Sequence, residues 1–581
     1  MSRARADGRG DRKRPRRPEP HGRGAGPAAG AAPLPAAEPA AAERAAVALW
    51  IALAALASAR LGLTYVPSMW VWGLNLQRFL APIPAWAPWA IATLALAPAL
   101  GRALAPRVER AGDRLARGRA SLVAVAALGA ILALLFPDRV RFVGDFLLRQ
   151  GTVEHAGRPA DLFPQALPLD VLLHWRIPRL LESARLLDAN GTARLLGAIE
   201  AALLALFAAG FARALALRGA AALAAAAIVF FGGPLGMFTG FGKAFAELVV
   251  LVAAVGFAGL RVVREGRGLL VLGVSVSIAL TLHRSALGLL PAAAFAYALW
   301  WRAHGAAGAW RRPGAIAAHA IPLATLAVML PRIVAIMLRW DAIHVAPAEV
   351  AAQGGPLRAA LAGTRPADLL SLIAMLSPLA LAAPALAACL GRVRGRGSEI
   401  AFLVTLAAPL VLSMPFIHPA QGLFRDWDDF VAAGESLSLV AAWLVAETLR
   451  AAPRFAWLGL AAALAAAAPA TQWLAHHADL GRGLARVEAL VREAPRRTPD
   501  ERAKTWDYLG IRNFHLERWD ESVRAFAHAA ETAPSPRILR EWANAEARRG
   551  RLDEARRIYL EIVAKSPGEA GALRHDLEKI G

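Results

Sequence analysis

Long apolar runs recur between residues 45 and 474, separated by short and often arginine-rich connections, and this pattern limits the chain to one broad class of fold. A helix needs roughly 20 apolar residues to cross a hydrocarbon core, and many of these runs approach that length. With 57% of its 581 residues apolar, the chain is too hydrophobic for an ordinary soluble protein. The expected fold is all-α: a polytopic membrane helix bundle followed by a short helical repeat domain. Spans are placed at 45–66, 86–104, 122–136, 195–216, 220–231, 244–262, 269–282, 286–301, 316–338, 369–390, 400–415, 430–449 and 457–474, about thirteen in all. Several are short or built mainly of alanine, which leaves room for one or two to be re-entrant or merged.

Arginine placement gives these spans a direction. A formal net charge of +22 would suggest a nucleic-acid partner for a soluble chain, but here the arginines cluster in short connections, where they orient a membrane protein. No nucleic-acid partner is expected. Residues 1–42 form an Arg-, Pro- and Gly-rich tail too poor in apolar side chains to fold. The tail extends too far before the first run for a signal peptide, and it is basic enough to touch anionic lipid. With this tail in the cytoplasm, alternation places the basic connections 107–119, 213–218, 261–267, 302–312, 392–396 and 450–454 on the same side. The outer side then receives 67–83, 138–190, 232–243, the His283-Arg284 corner, 341–368, 416–429 and everything after 474. Alanine and arginine in excess over isoleucine and lysine match a GC-rich bacterial genome, so the expected location is a bacterial inner membrane, N-terminus cytoplasmic and C-terminus extracytoplasmic. Cys389 is the single cysteine, so no intrachain disulfide can form.

Residues 475–581 differ from the rest in being charged, soluble and periodic at the helical spacing. Trp506, Leu509, Gly510, Phe526, Ala529 and Pro534 have the spacing of a tetratricopeptide repeat, and Leu539, Ala543, Ala555, Tyr559 and Pro567 repeat the pattern about 33 residues later. The segment resembles that family of helical repeats. Asp520 and Asp553 are expected N-caps, 480–493 a preceding helix and 569–580 a terminal cap. Two repeats are few for a self-standing solenoid, so the domain is expected to lean on the bundle, the membrane face or a protein partner.

The polar constellations all fall on the outer side. Within the segment 138–190, Val143-Gly144-Asp145-Phe146 follows directly after a span, which puts Asp145 at the membrane surface with Gly144 able to turn the chain. Asp145 reads either as a helix cap paired with Arg149 or as a catalytic or ligand-binding acid. Residues 167–181 bring Asp170, His174 and Trp175 near one face of an amphipathic helix suited to the interface. The glycine-rich loop 232–243 leads into a helix with Lys243 and Glu247 four apart. That loop is either a tight turn with a surface ion pair or a place where glycines let an anion approach Lys243; it lacks the order of a P-loop. Thr281-Leu282-His283-Arg284-Ser285 interrupts two spans. Ionisable groups at membrane depth line a cavity, whereas at a turn they cost little. In the loop 418–429, Arg425 offers a planar fork suited to phosphate, while Asp426, Asp428 and Asp429 either bind a divalent cation or hold that arginine in a surface network.

An acid just after a span, the turn Phe238-Thr239-Gly240-Phe241-Gly242-Lys243, the Thr-x-His-x-Ser corner and Gly422-Leu423-Phe424-Arg425-Asp426-Trp427-Asp428 before a late span together resemble the C-type integral-membrane glycosyltransferases, the protein-mannosyltransferase-like enzymes that use polyprenyl-phosphate sugars. The likeness covers roughly residues 122–449. It implies sugar transfer on the extracytoplasmic side from a lipid-linked donor to an acceptor hydroxyl, with inversion at the anomeric carbon and Asp145 as the general base. Arg425, with Lys243 or Arg284, would neutralise the departing polyprenyl phosphate, and His283, Asp170 and His174 complete the expected substrate-binding set, with membrane lipid in the grooves between spans. Two departures from the family pattern stand out: Phe146 follows Asp145 where many members have a second acid, which leaves a divalent cation open, with Asp426 and Asp428 as candidate ligands; and the acid follows the third span. The competing readings are an O-antigen-ligase-like transferase using His344, Arg358 and Arg365 in 341–368, and a non-enzymatic scaffold that recruits envelope proteins through its repeats.

Overall fold

The computed structural model describes residues 39–144, 146–154, 163–310, 313–340, 342–390 and 396–569, with 571, 573 and 578. Among the described residues every regular element is helical. Seven helices are long and apolar enough to cross a membrane: Ala40–Thr64, Ala189–Ala214, Phe245–Glu265, Pro313–Arg339, Gly397–Phe416, Trp427–Ala451 and Leu458–Ala478. Two helix pairs pass the same test but are bent, Pro82–Leu94 with Pro98–Arg117 by 89° and Arg365–Leu376 with Pro378–Leu390 by 115°, giving up to nine crossings. In both pairs a proline, Pro98 or Pro378, begins the second helix. A proline has no N–H to continue the preceding ladder, and it pushes the residue before it out of helical geometry. Arg119–Leu135, Gly219–Phe230 and Leu269–Leu282 are apolar but shorter, and Leu290–Trp310 is broken at Gly305. Every expected apolar run is thus helical, and seven to nine of them meet the length of a full crossing. The chain is a helical membrane protein.

Burial separates an inner from an outer set of spans. Trp427–Ala451 and Phe245–Glu265 are 83% and 78% buried, whereas Ala40–Thr64 and Pro313–Arg339 are 22% buried and turn Ile51, Val328 and Leu338 outward. Apolar surface on that scale has no favourable place in water and is satisfied by lipid.

The connections gather at two ends of the bundle. At one end, Arg213 donates to the carbonyls of Leu115 and Gly118 at 2.7 and 2.6 Å, and Arg264 to that of Ala214 at 2.9 Å. There too Glu447 takes Arg396 at 2.5 Å and Arg450 at 3.3 Å. These are the basic connections expected on one side, and they close helix C-termini whose last carbonyls lack intrahelical donors. At the other end meet the segments expected opposite them. Asp138 N–H donates to Thr239 O at 3.2 Å, Gly144 N–H to Arg425 O at 3.2 Å, His418 N–H to His344 O at 2.6 Å and Met69 N–H to Ala494 O at 2.7 Å.

After the last span, Leu480–Arg492 precedes two helix pairs, Pro499–His515 with Trp519–Thr532 and Pro536–Arg548 with Leu552–Lys565. Phe526, Ala529, Ala543, Ala555 and Tyr559 are buried between them. Asp520 and Asp553 are not the caps they were expected to be. The helices start two residues earlier than such caps require, at Trp519 and Leu552, so these acids stand in the first turn and act on the positive helix end through its dipole. Thr498 and Ser535 do cap, each accepting a backbone N–H at 3.2 Å. The expected terminal cap at 569–580 lies almost wholly outside the described residues. The helical domain leans on the bundle: Arg497 meets Asp368 at 2.7 Å, Arg486 donates to Trp72 O at 2.7 Å, and Arg78 grips Glu493 through two bonds of 2.6 Å.

Candidate functional site

Asp145 lies outside the described residues; its neighbours are placed. Gly144 has φ +45°, a conformation costly for residues with a side chain, and a Cβ there would stand 2.7 Å from Asp428 Oδ2. Phe146 opens the helix Phe146–Glu154 and packs on Phe241 with ring centroids 5.6 Å apart. The turn before Asp145 therefore lies directly on Asp428.

Asp428 is fully buried and meets Lys243 Nζ at 3.0 Å. The expected pairing of Lys243 with Glu247 does not form. Their helix begins at Phe245, so Lys243 is outside it and the four-residue spacing does not bring the two side chains onto one helical face. Lys243 instead reaches across 185 positions to Asp428 and sits 4.7 Å from the Phe245 ring centroid. The glycine-rich loop before it is buried as a 3-10 turn, Gly233–Phe238, where the glycines admit neighbouring backbone.

Asp170 and His174 are both buried, in a short helix that widens into a π turn at Leu172–Arg176. Asp170 Oδ1 is 2.9 Å from His174 Nδ1, and Arg149 holds both Asp170 oxygens at 3.1 and 3.2 Å. The other ring nitrogen of His174 is 3.0 Å from Glu247 Oε1, and Glu200 lies against Glu247. Burial alone would lower the His174 pKa, but the carboxylates of Glu247 and Asp170 overrule it and hold the imidazole up at about 10. Asp170 is pulled the other way: burial would raise it, and the stronger pull of Arg149 and His174 keeps it ionised well below the usual carboxylate range. His174, Glu200 and Glu247 bring three metal-type donor atoms within 4.8 Å of one another. Asp426 and Asp428, the candidate cation ligands read from the sequence, have partners within the chain: Asp426 accepts the Gln421 N–H at 2.8 Å and Asp428 takes Lys243.

His283 and Arg284 line a cavity of about 340 Å³ together with Ser285, His344, Asp429 and the apolar residues Phe245, Leu287, Met337, Leu410, Ile417 and Phe430. The corner is an extended residue, His283, followed by a 3-10 turn at Arg284–Leu289. His283 Nδ1 accepts the Ser285 N–H at 3.2 Å, and its ring packs on Phe245 at 4.7 Å. Burial and the adjacent Arg284 push His283 well below the ordinary imidazole range, so the ring is neutral. Of the two readings of this corner, lining a cavity or merely turning, the cavity is the one present. Lys243, His283 and Arg284 thus converge through Phe245, and Asp170 and His174 lie beyond Glu247 on the same helix.

Arg425 is placed one layer outward. Its Nε donates to Phe142 O at 3.2 Å and its Nη1 to Lys504 O at 3.3 Å, and the guanidinium lies 5.4 and 5.2 Å from the Phe142 and Tyr508 ring centroids. It joins the segment before Asp145 to the C-terminal helices. Of the alternative set, Arg365 donates to the Pro415 carbonyl at 3.0 Å, and His344 faces Asp429 at 3.9 Å. The residues missed from the sequence are Glu200 and the partner role of Glu247. An acid inside an apolar span was the available signal, since such a residue is costly unless it has a task. Comparison with protein-family models, curated proteins and solved structures finds no match to this chain.

Proposed function

We propose that the protein is a membrane glycosyltransferase that moves a sugar from a polyprenyl-phosphate donor to an acceptor hydroxyl at the face where the polar segments and C-terminal helices meet. In this reading that face is extracytoplasmic, the tail 1–42 is cytoplasmic, all of the roughly thirteen apolar helices belong to the membrane domain, and the C-terminal helix pairs are tetratricopeptide-like. The observation that carries the proposal is the cavity of about 340 Å³, which is lined by Arg284, His283, His344 and Asp429 together with apolar side chains from several spans. That volume falls within the size of small-molecule sites, and its mixed polar and apolar lining suits a phosphate carrying a long hydrocarbon chain.

Asp145 is the base that takes the acceptor proton. Arg284 meets the phosphate and stabilises its charge as the glycosidic oxygen departs. Lys243 and Asp428 position the turn carrying Asp145, and Arg425 supports that turn from the outside through Phe142 O and the Gly144 N–H. Arg425 is therefore a positioning residue in this scheme.

The test uses membranes or lipid nanodiscs supplied with a polyprenyl-phosphate sugar and an acceptor. Asp145→Asn keeps size and most hydrogen bonding, so transfer should fall by roughly two to four orders of magnitude with melting unchanged and polyprenyl-phosphate binding retained. Arg284→Gln should instead lose that binding, by about 2 kcal/mol or roughly 30-fold. Near-native transfer by the Asn variant removes Asp145 from the mechanism. No binding of polyprenyl phosphate by the native protein leaves the scaffold reading ahead.

A further inference from the structure

We infer that His174, Glu200 and Glu247 form a binding site for a single divalent transition-metal ion, which fastens the outer segment 163–183 to the bundle. The three ligands come from separate stretches: the π turn Leu172–Arg176, the span Ala189–Ala214 and the span Phe245–Glu265. One donor atom of each lies within 4.8 Å of the other two, and His174 Nε2 is 3.0 Å from Glu247 Oε1. Metal bonds of about 2.0–2.2 Å to imidazole nitrogen and carboxylate oxygen close a group of this size with small side-chain adjustments.

Three features favour an ion over a self-sufficient ion-pair network. Both carboxylate oxygens of Glu247 are sealed from solvent and lack a hydrogen bond of good geometry, with His174 Nε2 3.0 Å from Oε1. Sealed oxygens without a donor are costly and call for a partner. Glu200 is only 7% exposed and lies against Glu247, and two carboxylates brought together away from water repel unless a proton or a cation neutralises them. Finally, His174 is held as metal-bound histidines are: one ring nitrogen is fixed by Asp170, itself clamped by Arg149, while the other faces the two acids. One imidazole with two carboxylates suits Zn²⁺ or Mn²⁺ better than Ca²⁺ or Mg²⁺, which take nearly all their ligands as oxygen. The ion takes the place that a proton on His174 fills in its absence.

Full-length protein in nanodiscs, stripped by chelator and desalted, is titrated calorimetrically with Zn²⁺ and separately with Mn²⁺. Bound metal is counted by elemental analysis, and melting is followed by tryptophan fluorescence. One ion per chain and a melting temperature raised by metal are expected. Glu200→Gln and Glu247→Gln should each lose the stoichiometric ion, and Asp170→Asn, which leaves all three ligands in place, should weaken binding about 10–100-fold. Asp145→Asn should bind metal as the native chain does, so loss of sugar transfer and loss of metal remain separable. If the stripped native protein takes up neither ion beyond the level of a Glu200→Gln/Glu247→Gln double variant, or if chelation leaves its melting unchanged, the cluster is a proton-holding network and the inference falls.

Discussion

The two ends of the bundle use charge in opposite ways. At the basic end, arginines are satisfied largely by backbone carbonyls and a shared acid: Arg213 and Arg264 close on carbonyls, and Glu447 is shared between Arg396 and Arg450. At the other end, charged side chains are buried deeper and paired with one another, as with Lys243 and Asp428, Arg497 and Asp368, or His174 between Asp170 and Glu247. That end also has the cavity lined by His283 and Arg284. Partly exposed arginines on carbonyls tie helices at modest cost, whereas buried charges are retained only where their partners are all in place. One end therefore closes the bundle, and the other holds buried charged groups in fixed positions.

The comparison can be broken outright by topology. If the basic end is cytoplasmic, reporters fused after Gly581 and within the connection at Arg394 should report opposite sides of the membrane in an all-or-none way. Matching signals would mean that the two ends do not lie across a bilayer from one another.

Among stability effects the largest belongs to the polar end. Arg497 is almost wholly buried and holds Asp368, which also accepts the Trp72 Nε1–H at 2.8 Å and the Thr364 hydroxyl at 2.7 Å. Arg497→Met leaves a buried acid without its cation, so a loss of about 3–5 kcal/mol is expected. Thermal melting and protease release of the helices after residue 495 would measure it; a cost near zero would place this pair with the arginines of the other end.

A smaller effect is expected at Gly144. Gly144→Ala must hold a side chain at positive φ, about 1–2 kcal/mol, and it presses on Asp428. Sugar transfer should suffer more than stability does, since the turn carries Asp145. Equal loss of both would make Gly144 a folding position only.

The smallest effect is expected at the basic end. Arg213→Gln removes bonds to two carbonyls near the surface and should cost about 1 kcal/mol, read as a small shift in melting, with donor binding and transfer untouched. Loss of transfer in this variant would show that the two ends are coupled.

Much of the architecture was legible because it is written in local period and local charge. Apolar runs mark helices wherever they occur, and basic connections sort together because each span reverses the chain, whereas the bends at Pro98 and Pro378 fall inside runs read as single spans, 86–104 and 369–390. The site was legible in part. His283 and Arg284 stood out as ionisable residues between spans and do line a cavity, and Asp170 and His174 share a helical face and do touch. Of the two readings of Lys243, the ion pair with Glu247 is absent because the helix begins two residues later, at Phe245.

By itself, the sequence determined that this chain is a helical membrane protein with a helical C-terminal domain, and which loops share an end, because hydrophobic period and loop charge act over a few residues at a time. Only the tertiary structure decided who meets whom. Lys243 finds Asp428, His174 finds Glu247 and Glu200, and Arg425 finds the carbonyls of Phe142 and Lys504. The physical reason is that a buried charge is stabilised by whichever partner the packing of distant helices brings within about 3 Å, and the local pattern that buries it carries no record of that partner.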